Sequence, residues 1–277
     1  MAESGPVAAT RRMAGLEISS IRELNGLPPP LCEALYTRLV PTELFDRLGI
    51  DPRTGESPRG ERLLRVTAPP DQSWARVEVR ASPDDRDPLL LVDVEMSPFS
   101  VPELSFVQIT DPSSERFAID RDRDGQDTLF GTIARNLEEE ERALRSGLAP
   151  GQVRRGLRLL RSVLGAMDDF CRLLGQELYL IEPLFYHSAI LYERGGCGYV
   201  MGRDQMEEIH RGFAADGPLT RRLDGATPFR QPGFDRTVRG RSWAITDGVL
   251  GTPFAGVKMY KAPGRSANVC SFPDGIY

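Results

Sequence analysis

One apolar stripe constrains this chain more than any other feature. Val153, Leu157, Leu160, Leu164, Met167, Cys171 and Leu174 recur at steps of four and three, the spacing that sets side chains on one face of an α-helix. Pro150 suits the first turn of such a helix and Gly175 its end, so the pattern predicts a helix over 150–174. A helix with one apolar face must lie against a second layer. The flanking sequence supplies strands for that layer.

Upstream, "ERLLRVTA", "SWARVEVRA", "PLLLVDVEM" and "ELSFVQITD" read as strands separated by proline and aspartate turns. In the second, Trp74 and Arg76 share one face, while Ala75, Val77 and Val79 share the other. Strand, turn, strand, turn predicts an antiparallel meander. Downstream, "LYLIEPL" reads as a short buried strand. "SAILYERGGCGYVMG" (188–202) then reads as a helix, a glycine turn and a strand. Residues 17–48 show helical spacing broken at Pro41, and 129–146 turns helical. "MEEIHRGF" reads as a further helix, and "SWAITDGVL" and "AGVKMYKA" as late strands. The fold class is therefore α+β: a mixed, mostly antiparallel sheet flanked by helices, with N-terminal helical and C-terminal extensions.

Composition narrows the function classes. The chain has 277 residues and a net charge of -5, a poor general match to nucleic acid or to an anionic membrane surface. Lysine occurs only at Lys258 and Lys261, so 33 of the 35 basic residues are arginines, and a single arginine carries little weight as site evidence. Cys32, Cys171, Cys197 and Cys270 are widely spaced, and the histidines are His187 and His210. That set does not offer the closely spaced ligands of structural zinc, and no metal is expected. With no apolar signal segment and no run long enough to cross a bilayer, the expectation is a cytoplasmic, soluble protein with no membrane insertion.

The order of elements, together with Leu191-Tyr192-Glu193-Arg194-Gly195-Gly196-Cys197, resembles the GNAT superfamily of acyl-CoA-dependent N-acetyltransferases. Members often read Leu-Tyr-Glu-Lys-x-Gly-Phe at the end of the helix that follows the site. The resemblance implies an acyl-CoA N-acyltransferase-like core over 61–202, with acetyl-CoA or another acyl-CoA as co-substrate. It implies a diphosphate cradle on a helix N-terminus, placed here at Gly151, Gln152, Arg154, Arg155 and Gly156. The pantetheine arm would lie between two splayed strands, and Tyr192 would protonate the leaving thiolate. The family's loop reads Arg/Gln-x-x-Gly-x-Gly/Ala; with Gly156 on its first glycine, Val153 and Arg158 stand at its outer positions. Phe185 stands where an Asn is often found, and residues 111–149 form an insertion.

Several residues read two ways. Glu182 ends a strand and reads either as a general base, its pKa raised by burial, or as a salt-bridge partner of an arginine. Tyr192 reads as proton donor or as core with a satisfied hydroxyl. Arg154 and Arg155 read as a phosphate clamp or as a solvated helix start. Asp120, Asp122 and Asp124 before Gly125 resemble the opening of a calcium loop, but Gly131 stands where its bidentate Glu belongs, which favours a solvated hairpin turn. Glu207-x-x-His210 is one unit where di-iron bundles need two. The arginines and aromatics over 211–241 suit an anion-binding lid or a partner surface.

The expected organisation is a disordered lead (1–15), an N-terminal helical segment (16–60), the core (61–202) and an extension (203–277). The leading functional reading is an acyltransferase acting on a small-molecule or protein amine. The alternatives are a non-catalytic binding or assembly protein on a degenerate version of that fold, and a mononuclear non-haem metal enzyme.

Overall fold

A computed structural model describes residues 18–129, 131 and 133–277; the expected lead over 1–15 lies outside the described residues. In chain order the elements are α1 (Ile21–Asn25), α2 (Pro29–Tyr36), α3 (Thr42–Leu48), β1 (Leu64–Thr67), β2 (Trp74–Val79), β3 (Leu90–Met96) and β4 (Pro102–Ile109). They continue with α4 (Leu137–Arg145), α5 (Leu160–Leu173), β5 (Tyr179–Ile181), α6 (Tyr186–Arg194), β6 (Gly198–Met201), α7 (Arg203–Gly212), α8 (Val238–Thr246) and β7 (Lys258–Lys261). The fold is α+β, with a mixed seven-stranded sheet ordered β1-β2-β3-β4-β5-β7-β6.

The chain forms two compact units, each built from separated segments rather than consecutive ones. The first takes the chain up to Pro112, then Gly156–Ile181 and Tyr260–Ser266; the second takes Ser113–Arg155, Glu182–Met259 and Ala267–Tyr277.

In the first unit the expected meander forms. β1, β2, β3 and β4 pair antiparallel in turn, with Val66 opposite Val77 and Val77 opposite Val92. Alternation decides the faces of β2: Ala75, Val77 and Val79 are buried, while Arg76 on the other face grips Asp93 of β3 through two bonds of 2.7 Å. The break at Pro41 falls between α2 and α3, as the spacing predicts. Asn25 ties α1 to the β1–β2 connection, donating to Pro69, Gln72 and Trp74 carbonyls while Tyr36 Oη donates to its Oδ1 at 2.5 Å. α5 buries Val163, Leu164, Met167, Phe170 and Cys171, and Phe170 stacks on Tyr36.

α5 begins ten residues later than the stripe suggested, at Leu160 rather than Pro150. Gly151 and Arg158 both take positive φ, 79° and 62°, which a right-handed helix excludes. Val153 faces a different core: it is buried with Phe117, Ile119, Ala143 and Leu148, and its carbonyl accepts the Phe117 N–H at 2.9 Å. Its fit to the helical spacing was coincidental.

In the second unit, "SWAI" forms part of helix α8, not a strand. Thr237 caps it, its Oγ1 accepting the Gly240 N–H at 2.9 Å. Arg241 through Ile245 are all buried, so the run lacks the one-sided pattern that separates helix from strand. Trp243 is fully buried, stacks on Phe229, and donates its indole N–H to the Leu148 carbonyl at 2.8 Å.

Candidate functional site

The geometry closest to the expected cofactor site lies in the first unit. β4 and β5 run parallel and pair at two positions, Glu103 with Leu180 and Leu104 with Ile181. Beyond Leu104, β5 ends while β4 runs on to Ile109. At that point Ser105 is bulged from the ladder with β3, since Asp93 faces Phe106 and Val94 faces Leu104. A bulge bends its strand and adds twist, and the pairing of β4 with β5 stops beside it, where β5 ends.

The chain re-enters this unit at Gly156, against the far end of β4. A Cβ on Gly156 would lie 3.2 Å from the Ile109 carbonyl oxygen, tight enough to favour glycine. Four residues later α5 starts. Its N-cap, Leu159, offers no side-chain acceptor, and the first N–H groups of a helix lack intrahelical partners and carry partial positive charge. Beside them stands Arg158, a non-glycine residue at φ 62°, the conformation that glycine adopts without strain.

The rest of the expected cradle lies upstream of α5, not in its first turn. Gly151 packs on the Phe185 ring, where a Cβ would come within 2.4 Å. Gln152 Oε1 accepts the Ala149 N–H at 2.8 Å. The Arg154 guanidinium donates to the Ser114 carbonyl, and the Arg155 N–H donates to Ser114 Oγ at 3.2 Å. These four residues shape a turn of the second unit.

Glu182 and Tyr192 also belong to the second unit. Glu182 is largely exposed and pairs with Lys258 at 3.2 Å; the partner is one of the two lysines rather than an arginine. Tyr192 is buried on α6, and burial, reinforced by Cys197, pushes its phenol pKa well up, so the hydroxyl stays protonated. The 188–202 stretch ends on a glycine with a definite task, the residue between β6 and α7. Gly202 has φ 89°, and a Cβ there would meet Val257 Cα at 2.9 Å.

α6 also carries buried polar residues to which the resemblance gives no role. Glu193 is buried and accepts the Tyr199 hydroxyl at 2.6 Å and the Ser271 N–H at 2.9 Å. Tyr186 is buried with no partner for its hydroxyl. Arg241 is buried among aromatic rings. Only the mixture of arginines and aromatics over 211–241 hinted at this group. Other arginines there hold backbone: Arg222 bonds Val249 O, Arg239 bonds Gly147 O, and Arg230 grips Asp247.

The metal-like motifs are absorbed into structure. Asp120 is held by Arg116, and Asp122 Oδ1 accepts the Asp124 and Gln126 N–H groups, which closes a hairpin turn. His187 Nδ1 contacts Ser242 Oγ at 3.0 Å and His210 Nδ1 contacts Arg241. Among the described residues no group of three or more His, Cys, Asp or Glu is placed to hold a metal ion, and no helix is long and apolar enough to cross a membrane. No protein-family model, curated protein or solved structure matches the chain.

Proposed function

We propose that the chain is an acyl-CoA-dependent N-acyltransferase-like protein that moves an acetyl or acyl group to the amine of a small molecule or protein. One observation carries the reading: β4 and β5 part after a two-position parallel pairing, at a bulge. In sheets with parallel strands, ligands bind beyond the carboxyl ends of the strands. An extended pantetheine arm suits the backbone edge that such a parting leaves. The uncapped start of α5 supports the same reading, because helix N–H groups suit a diphosphate.

In this reading Gly156 lets the anion approach the backbone, and backbone N–H groups polarise the thioester carbonyl. The acceptor amine attacks that carbonyl carbon, the C–S bond breaks, and the thiolate takes a proton. Tyr192 as the proton donor is a proposal that rests on the resemblance, and Glu182 as the base is one that rests on its place directly after β5. A protonated phenol, which burial maintains at Tyr192, has the correct form for a donor. Tyr192→Phe is expected to lower turnover by roughly 100-fold or more while leaving acetyl-CoA binding unchanged. Thiol release from acetyl-CoA with a panel of amines measures the first, and calorimetry the second. Unchanged turnover would remove Tyr192 from the mechanism.

One observation favours the non-catalytic alternative. Arg158 places a long side chain where the family's loop carries a small residue. A binding or assembly protein on a degenerate version of the fold would show no affinity for CoA and no turnover.

A further inference from the structure

Arg241, on α8 in the second unit, is 3% exposed. Its guanidinium carbon lies 3.4 Å from the centre of the Phe272 ring and 5.0 Å from that of Phe213. Nε donates to the Asp235 carbonyl at 2.6 Å, and Nη1 meets His210 Nδ1 at 3.2 Å. Arginine has no acceptor, so His210 accepts through Nδ1 and carries its proton on Nε2. Three of the five N–H donors of a guanidinium are then left without a hydrogen-bond partner among the described residues. Asp235 is the carboxylate whose charge reaches it, but no carboxylate among those residues forms an ion pair with it, and a buried cation without a paired counter-charge is costly.

Two buried hydroxyls beside this group are also unsatisfied, Tyr186 Oη and Ser271 Oγ. Tyr186 is 1% exposed. Burial pushes its pKa up to about 12, while the nearby Arg241 pulls it down and Glu193 raises it. Its hydroxyl lies close enough to the Arg241 guanidinium to be lowered by hydrogen bonding as well as by charge, yet it has no partner at full hydrogen-bond geometry. An unpaired guanidinium and an orphaned hydroxyl together lack an acceptor with negative charge.

We infer that Arg241 and Tyr186 form a binding site for the carboxylate of a small organic acid, closed in this structure by Phe272. The planar fork of a guanidinium matches two carboxylate oxygens, and the tyrosine hydroxyl supplies one more donor. The nearby Glu193 charge disfavours a doubly charged phosphate. Phe272 belongs to Ala267–Tyr277, which contains no helix or strand, and within it only Ser271 and Phe272 are buried. The segment is fastened by Ser271 N–H to Glu193, by Arg194 to the Gly275 carbonyl, and by Val238 N–H to the Ile276 carbonyl. Little burial and the lack of a helix or strand make such a segment the first to open. The inference does not depend on the acyl-CoA reading.

Calorimetric titration of the full chain with acetate, benzoate and inorganic phosphate tests it, with thermal melts of each variant. Acetate or benzoate is expected to bind the wild type, and Phe272→Ala to bind it about tenfold tighter because the ring no longer has to be displaced. Tyr186→Phe is expected to weaken binding about tenfold. Arg241→Met should abolish binding. The inference is overturned if neither carboxylate binds wild type or Phe272→Ala, if Tyr186→Phe and Arg241→Met bind undiminished, or if phosphate binds more tightly than both carboxylates.

Discussion

Replacing Asp168 with alanine is expected to destabilise the protein by about 3–5 kcal/mol. Asp168 sits on the buried face of α5, and its carboxylate is the centre of a closed network in the first unit. Oδ2 accepts the Gly264 N–H at 2.9 Å and lies 3.4 Å from Lys261 Nζ; Oδ1 accepts the Tyr179 hydroxyl at 3.0 Å. Lys261 is equally buried, and its ammonium also donates to the Arg265 carbonyl at 3.2 Å. Removing the carboxylate leaves an ammonium without its counter-charge in a low-dielectric site and takes an acceptor from the Gly264 N–H and the Tyr179 hydroxyl. Urea unfolding of Asp168→Ala measures the loss. The double variant Asp168→Ala with Lys261→Met should recover part of it, because the stranded charge is gone. A loss under about 1 kcal/mol would mean that the pair is effectively solvated.

The second large effect is acid sensitivity through His187. The side chain is buried on α6 against Ser242, and burial, with the Arg239 charge adding to it, drives its pKa down to about 3. In the unfolded chain the imidazole takes a proton near its ordinary value, about 6.5. Between those values the unfolded state binds one proton that the folded state excludes. The contribution of His187 is therefore complete above pH 6.5. It falls by about 1.4 kcal/mol per pH unit as the pH drops towards 3. His187→Gln removes the titration and keeps a hydrogen-bonding side chain. Unfolding free energies at pH 7, 6, 5 and 4 should show a shallower decline in the variant. Equal slopes would contradict a neutral buried imidazole.

Much of the sheet was legible because its signals are local. β2 alternates strictly, β3 and β4 are apolar runs bounded by Pro98 and Pro102, and the 188–202 stretch carries its own glycine turn. Helix α5 was legible in its body but not at its start. Val153 continues the helical spacing while serving a separate core with Phe117 and Leu148, and a spacing rule does not distinguish two cores. α8 was misread because burial on every side removes the periodic signal. The division into two interleaved units depends on long-range packing that no local pattern encodes.

The candidate site was legible to a smaller degree. Gly156 was identified from a loop pattern, and its close approach to Ile109 gives it a physical reason. The end of the β4–β5 pairing and the bulge at Ser105 beside it are announced by no turn residue. Gly151, Gln152, Arg154 and Arg155 were placed in a helix start that lies further along the chain. Arg241 stayed hidden among so many arginines, because what distinguishes it is the absence of a charge partner, a property of the fold. Tyr186 was passed over for Tyr192, which carries the motif.

The measurement that tests the central claim most directly is calorimetric titration of the purified full chain with acetyl-CoA and with free CoA. The parted strands and the open start of α5 predict saturable binding of both in the micromolar range. Absence of binding at millimolar ligand would contradict the acyl-CoA site and leave the parting of β4 and β5 as a feature of the fold alone.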